Sequence, residues 1–414
     1  MSDIPAYRTE DIPRTAPVAA ATQHAASGIS VEAVDAARLP EIDKAWADLL
    51  PRADTQNVFM DPALLAVAAT TEPNVCHRAL LVWKSVAGQR RLVGLWSFAV
   101  RRPRWSALPI HVMAAPAYTH GYLATPVIDR DCLDETLEAM LDCLAAERSL
   151  PKIVALDTMG TDGATYDALT RVLAHRGVTP RVFEPVVRPR LASPLDGKAY
   201  LEKALSSSTR KKLRQHRRKL QEKGAVASDI ATEPDAVARA LEQFLAMEAA
   251  GWKGQNGTAL LCDKGEAAFM RGAMAALAKR GNAAIHAISV DGKPASMQIV
   301  ARAADVAFTW KTAYDEAYQD YSPGMLLLED YTSAFLADKS IAFVDSCSFD
   351  DSGFMSAWTE RRPVADIWID VRRGGSVAFR VLGCVQKNYR DLRNAAKAAY
   401  RAWQKSNLRR SLKR

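Results

Sequence analysis

The run Phe308-Thr309-Trp310-Lys311-Thr312-Ala313-Tyr314-Asp315-Glu316, followed by Tyr321-Ser322-Pro323-Gly324-Met325-Leu326-Leu327-Leu328, holds the residues best suited to chemistry. It reads as a strand, a polar loop and a helix that opens on Pro323 near its first position, where a missing N–H costs nothing. Ser322 is placed to cap that helix. The front amides and the positive end of the helix dipole then point out of the loop, toward an anion and above all a phosphate. Gly324, between Pro323 and Met325, has no side chain to hinder a pyrophosphate. An ordinary capped helix after a strand would have the same spacing. Lys311 alternates with Trp310 and Thr312, so on a regular strand it faces away from both. A charge inside an apolar strand needs a partner or a ligand, and Lys311 could bind a donor phosphate or polarise a carbonyl; at a sheet edge it would face solvent instead.

Four side chains near these elements could carry protons. Asp315 and Asp345 fall at the C-terminal ends of predicted strands, where open α/β folds place their sites. Asp315 equally suits a turn cap. Tyr314 or Tyr321 could donate a proton to a leaving group, and Tyr314 would also serve as a core aromatic. Trp252-Lys253, inside the glycine-rich Gly251–Gly257, suits either a mobile lid over a substrate or a turn pinned by one Trp. Arg210, Lys211 and Arg214 begin a basic helix that could hold a phosphate-bearing substrate. Aromatic interleaving is missing there, so nucleic acid is not expected as a partner. Cys347 has no His near it in sequence, which argues against a nucleophile.

These residues need a frame, and the pattern predicts two αβ halves. The first carries a helix near 62–69, a hairpin of strands 78–86 and 91–100, a helix over 132–147, a strand over 152–158, a helix over 164–175 and a strand over 181–187. The proline-spaced stretch 185–194 reads as a linker. The second half opens with the basic helix 206–223. It continues with a strand at 225–231, helices at 235–250 and 264–279, a hairpin of strands 283–290 and 294–303, and a strand at 305–314. A helix at 323–337, a strand at 341–345, a helix at 353–361 and a strand at 364–370 complete it. Ser85-Val86-Ala87-Gly88 and Ser289-Val290-Asp291-Gly292 occupy equivalent hairpins, which hints at a duplicated fold.

The chain has 414 residues, 49% of them hydrophobic and 25% charged, an ordinary globular balance for about two or three domains. No apolar run approaches the roughly 20 residues that span a bilayer. Residues 1–28 lack the basic and apolar regions of a secretory signal and read as a disordered leader. The six cysteines form no CxxC pair and no zinc spacing, so no metal is expected, and their scatter suits reduced thiols. The formal charge of +8 is uneven: Val377–Arg414 holds eleven Lys/Arg against Asp391, a net of +10, so the rest sums to −2. Thr209–Lys223 adds a second block, eight Lys/Arg against Glu222. Such blocks favour an anionic partner. The helix expected near 385–405 aligns Val385, Tyr389, Leu392, Ala396, Tyr400 and Trp403 against a basic face, which suits a membrane surface, an acidic partner or packing on the body.

Trp310-Lys311-Thr312-Ala313-Tyr314-Asp315 with Ser322-Pro323-Gly324 resembles the pattern of the CelD-like acetyltransferases of the GNAT superfamily, linked to cellulose and exopolysaccharide synthesis. So do Gly251-Trp252-Lys253-Gly254 ahead of Gly257-Thr258-Ala259-Leu260, Ser208–Arg214, and Trp358-Thr359-Glu360-Arg361-Arg362. The resemblance covers about residues 195–370. A more distant similarity is to the Fem-type aminoacyltransferases, which carry two GNAT-like domains in one chain. The usual GNAT Q/R-x-x-G-x-G/A turn is absent, and Ser322-Pro323-Gly324 stands in its place. The resemblance implies an α/β protein of two tandem GNAT-like domains with mixed central sheets and flanking helices. The boundaries are a leader 1–28, an N-terminal domain 29–190, a catalytic domain 195–371 and a basic helical tail 377–414. It implies acetyl-CoA or another acyl-CoA as co-substrate, no tightly bound cofactor, and a saccharide or amine acceptor. Pro323–Met325 would hold the CoA pyrophosphate and Tyr314 or Tyr321 would protonate the thiolate. Asp315 or Asp345 would act as base. A cytoplasmic location is expected, peripheral at the inner membrane if the basic tail docks on lipid or on a synthase. The rival readings are a Fem-like transferase using aminoacyl-tRNA and a non-catalytic subunit of a polysaccharide synthase.

Overall fold

The computed structural model describes residues 7–8, 21–24, 28–106, 108–349 and 353–411. The protein is a mixed α/β fold of one large sheet flanked by helices. From one edge to the other the strands are Val226–Ala231, Ala283–Val290, Lys293–Ala303, Val306–Tyr314, Phe343–Asp345, Arg181–Leu191, Glu360–Asp370, Ile153–Gly160, Val112–Ala115, Gln89–Pro103, Cys76–Val86, Ile29–Asp35 and Ala21–His24. Of the leader expected over 1–28, Ala21–His24 pairs with Ile29–Asp35 and Tyr7–Arg8 with the end of Gln89–Pro103. Apart from Gly28, the rest of it lies outside the described residues.

The sheet is built twice, outward from its centre. In each half a hairpin feeds an antiparallel third strand, which lies parallel to a fourth across a connecting helix. Both hairpins turn on two residues of positive φ, Ala87-Gly88 and Asp291-Gly292. That is the tight-turn geometry that matches the strand twist. The halves are fastened by exchange. Arg181–Leu191, at the end of the first half, pairs with Phe343–Asp345 of the second, and Glu360–Asp370 pairs with Ile153–Gly160 of the first. The two exchanged strands also pair with each other.

The expected linker at 185–194 is therefore largely strand. Its prolines are tolerated for local reasons. Pro185 follows Glu184, whose φ is +44°, where the register slips opposite Val364–Asp366. Pro189 has no N–H to give, and its carbonyl accepts from Ser346 N at 3.3 Å. Proline is confined to such bulges and non-donating positions in sheets. The helix expected at 353–361 is a short turn, Phe354–Ala357, followed by strand from Glu360. Trp358 lies between them, fully buried, its Nε1 donating to Thr332 Oγ1 at 2.9 Å.

One apolar core joins the halves. The helix Pro62–Thr71 packs on Lys264–Ala278, and Phe59, Phe269, Phe308 and Trp310 share the same cluster. The approach is close: a Cβ on Gly272 would fall 2.7 Å from a Val67 methyl. Arg280 crosses to Asp61 at 2.7 Å, and Trp310 Nε1 donates to the His120 carbonyl at 2.8 Å. A second cluster behind the sheet seats the helix Pro323–Ala337 through Leu326, Leu327, Leu328, Tyr331 and Phe335.

Candidate active site

A cavity of about 390 Å³ opens where the strand Val306–Tyr314 ends and the helix Pro323–Ala337 begins. Thr312, Ala313 and Tyr314 form one wall, and Ser322, Pro323, Gly324 and Met325 form another. Met247, Glu248, Gly251, Trp252 and Lys253 close the third side, with Gln319 and Phe354 at the margins. The volume falls within the range of small-molecule sites, about 300–1,000 Å³. The lining is mostly apolar, with a few polar groups converging on it.

The expected helix front is present, but its chemistry differs in detail. Ser322 does not cap with its side chain; it adopts a left-handed conformation, φ 50° and ψ 52°. A residue with a Cβ in that region stores of order 1–2 kcal/mol of strain. Its carbonyl accepts from Met325 N at 2.9 Å and Leu326 N at 3.2 Å. Pro323 has no N–H, so the front amide is that of Gly324. A Cβ at Gly324 would meet nothing within 4 Å, so the mouth there is open.

The bulge in the third strand corrects the expected facing of Lys311. The register shifts between Ile299 and Val300, where Lys311 pairs with Ile299 and Thr309 with Val300. Trp310 is the extra residue. Trp310 and Ile299 both lie in the larger core cluster, so Lys311 points to the same side as Trp310 rather than away from it. Strict alternation fails at a bulge because two residues there oppose one.

Lys311 is thereby brought to Glu248, a residue the sequence reading did not single out. Glu248 is buried on the helix Pro234–Ala250. Its carboxylate accepts from Lys253 Nζ at 2.8 Å and from Leu260 N at 2.8 Å, with Lys311 Nζ at 3.8 Å. Burial works to raise the Glu248 pKa, but the two lysines and the Leu260 amide overcome it and hold the carboxylate below its usual range. Lys311 is shifted down, chiefly by burial, with Glu248 opposing. The available sequence signal was position: Glu248 precedes Gly251-Trp252-Lys253-Gly254 by one helical turn.

The expected loop at 251–257 contains a single helical turn, Trp252–Gln255. The Trp252 side chain is exposed, and its backbone N–H donates to Glu316 Oε1 at 2.7 Å. Lys253 also reaches the Thr312 carbonyl at 3.2 Å. Both residues line the cavity, so this turn is stitched to the strand and the helix around it.

Tyr314 lines the cavity and is partly exposed. Two carboxylates expected as bases are otherwise engaged. Asp315 accepts from Ala317 N at 2.9 Å and caps the turn Glu316–Tyr321. Asp345 is wholly buried, 2.6 Å from Arg188 and 2.7 Å from Arg362, and accepts from Cys347 N at 2.9 Å. Burial opposes its ionisation, but the two arginines prevail and hold it below the usual carboxylate range. It is a structural charge rather than a reachable base. Tyr321 packs against the second core cluster and is not among the lining residues. Burial pushes the Cys347 thiol well up.

Arg210, Lys211 and Arg214 stand on the helix Ser207–Gln221, none of whose residues lines the cavity. Arg210 lies 3.6 Å from Glu202. Further along, Arg217 clamps the site helix through Asp330 at 2.6 Å, Glu329 at 3.1 Å and the Leu326 carbonyl at 3.3 Å. The basic block is thus partly a brace for the helix that opens on the cavity.

Residues 207–346 match the family model of an acetyltransferase (GNAT) domain. The match begins at the basic helix and includes every lining residue of the cavity except Phe354. Among solved structures, the chain is similar to FemX, with a TM-score of 0.54 at 10% identity over 79% of this chain and 95% of that one. It also aligns with a conserved protein of unknown function from Bacteroides thetaiotaomicron, TM-score 0.49 at 12% identity over 80% and 97% of the two chains. A DUF2156 C-terminal domain from Agrobacterium fabrum gives TM-score 0.49 at 11% identity over 83% and 95%. No curated protein sequence matches. The FemX likeness, at that identity, speaks for the fold, while the family match speaks for the catalytic half. Residues 207–346 are a GNAT acetyltransferase domain, and the chain that carries it is an acyltransferase.

Proposed function

We propose that the chain moves an acetyl or other acyl group from acyl-CoA to an amine or hydroxyl of a polysaccharide, its precursor or a related envelope metabolite. The observation that supports this most is the open front of the helix Pro323–Ala337, at Gly324, on a cavity that also presents Tyr314 and Lys253. A diphosphate at that front would gain the Gly324 amide and the helix dipole. The apolar lining suits a pantetheine arm. In this reading Tyr314 protonates the departing thiolate, and Lys311 with Glu248 fixes the Trp252–Gln255 turn beside the acceptor. The acceptor class rests on the resemblance to CelD-like transferases. Such a protein would work in the cytoplasm.

The FemX likeness favours a second reading, a Fem-like transferase that takes its acyl group from aminoacyl-tRNA. Thermal melting separates the two. Under the first, acetyl-CoA at a hundred times its Kd raises stability by about 2.7 kcal/mol, and aminoacyl-tRNA leaves it unchanged. The opposite pattern would replace the first reading with the second.

A further inference from the structure

The helix Val377–Ser411 docks on the body along one side. Phe379 is buried in a small cluster with Phe183 and Trp368. Gly383 lies against Arg181, Gln386 accepts from Trp105 Nε1, and Arg390 holds Asp366 at 2.5 Å and Glu184 at 3.1 Å. Asn394 donates to Glu184 at 2.9 Å. These five docking residues share one side of the helix, and Leu382 packs on the same cluster from its margin.

The apolar residues turned outward share another. Val377 is 65% exposed, Val381 55%, Val385 39%, Leu392 72%, Tyr400 41% and Trp403 59%. At 3.6 residues per turn they fall within a sector of about 140°, centred about 150° from the docking face. The stripe runs for roughly 39 Å along one helix. Its far end carries Tyr400 and Trp403 with their rings stacked 5.9 Å apart. Exposed Arg380 and Lys387 flank it, Lys387 paired with the exposed Asp391 at 2.6 Å, and Val377–Arg414 holds eleven Lys/Arg against that one acid. No helix among the described residues is long and apolar enough to cross a membrane.

We propose that this face binds an anionic bilayer surface, with the helix lying in the headgroup plane. Three features select that partner. A continuous apolar stripe on a segment of net charge +10 fits lipid tails and acidic headgroups together, the mark of an interfacial helix. Trp and Tyr prefer the membrane–water boundary, where a ring is half apolar and half wet. A nucleic acid would meet the charge but leave the stripe in water. A second copy of this chain would place one +10 segment against another. The docked face fixes the helix as far as Asn394, so the cavity would be held at a set distance from the membrane. This inference is independent of the donor and acceptor proposed above.

The test is co-sedimentation of the full chain with vesicles of phosphatidylcholine alone or mixed with phosphatidylglycerol, at low and high salt. A double variant, Leu392→Asp with Trp403→Ser, changes only exposed residues of the stripe. The parent protein is expected to pellet with the anionic vesicles and not with the neutral ones, less so at high salt. The double variant is expected to bind them more weakly by on the order of tenfold, with its thermal melt unchanged. Absence of parent binding to anionic vesicles at low salt would overturn the proposal. So would equal binding by the double variant, which would leave charge alone responsible. So would a lipid-free dimer of the parent that the double variant abolishes, since the stripe would then be covered by a second copy.

Discussion

At the scale of single residues, Asp345 and Tyr314 have different tasks, one holding the fold and one facing the cavity. Asp345 is enclosed by Arg188 and Arg362. Removing one member of a buried ion pair leaves the other charges uncompensated and costs about 3–5 kcal/mol. Asp345→Asn is therefore expected to lose stability of that order in urea unfolding. The Asp345 pKa is depressed in the folded state, so its contribution is complete above the usual carboxylate range and fades as pH falls below it. The gap between parent and variant should narrow in acid. Tyr314, partly exposed on the cavity, stands at the other extreme. Tyr314→Phe should leave the melt unchanged and lower kcat by about 10²–10⁴, with donor affinity intact. A folded variant with normal kcat would remove Tyr314 from the chemistry.

At the scale of elements, the sequence carried most of what mattered, and the exceptions share a cause. The hairpins were legible because Ala87-Gly88 and Asp291-Gly292 sit between alternating apolar runs. The site helix was legible because Pro323 opens it and an apolar stripe follows. The facing of Lys311 was not, because the bulge is set by pairing with Ile299 and Val300 on another strand. Nor was Glu248, whose significance lies in Lys253 and Lys311 arriving from two other elements. The turn Trp252–Gln255 read as loop from its glycines, yet tertiary bonds to Glu248, Thr312 and Glu316 hold it. Lys253→Met should loosen it. Stability is expected to fall by about 1 kcal/mol, and the acceptor KM should rise while donor binding stays the same. A rise in the donor Kd would instead place Lys253 on the donor.

At the scale of the whole molecule, the exchange of Arg181–Leu191 and Glu360–Asp370 joins two αβ halves into one sheet. A division at about residue 190 was plausible from the prolines alone, but it would cut through paired strands. The whole chain is expected to melt in one cooperative transition by circular dichroism. A fragment of residues 195–371 should not fold, because it leaves Glu360–Asp370 without both neighbours and Asp345 without Arg188. A cooperative melt from that fragment would show that the catalytic half stands alone.

The central claim is that the front of the helix Pro323–Ala337 receives the diphosphate of an acyl donor. Isothermal titration of acetyl-CoA into the parent protein and into Gly324→Glu tests it most directly. The backbone at Gly324 needs no positive φ and a Cβ there meets open space, so the variant should fold as the parent does. The expected result is saturable binding by the parent and none by the variant, whose carboxylate occupies the anion's place. Equal heats from the two proteins, or no heat from the parent, would contradict the claim.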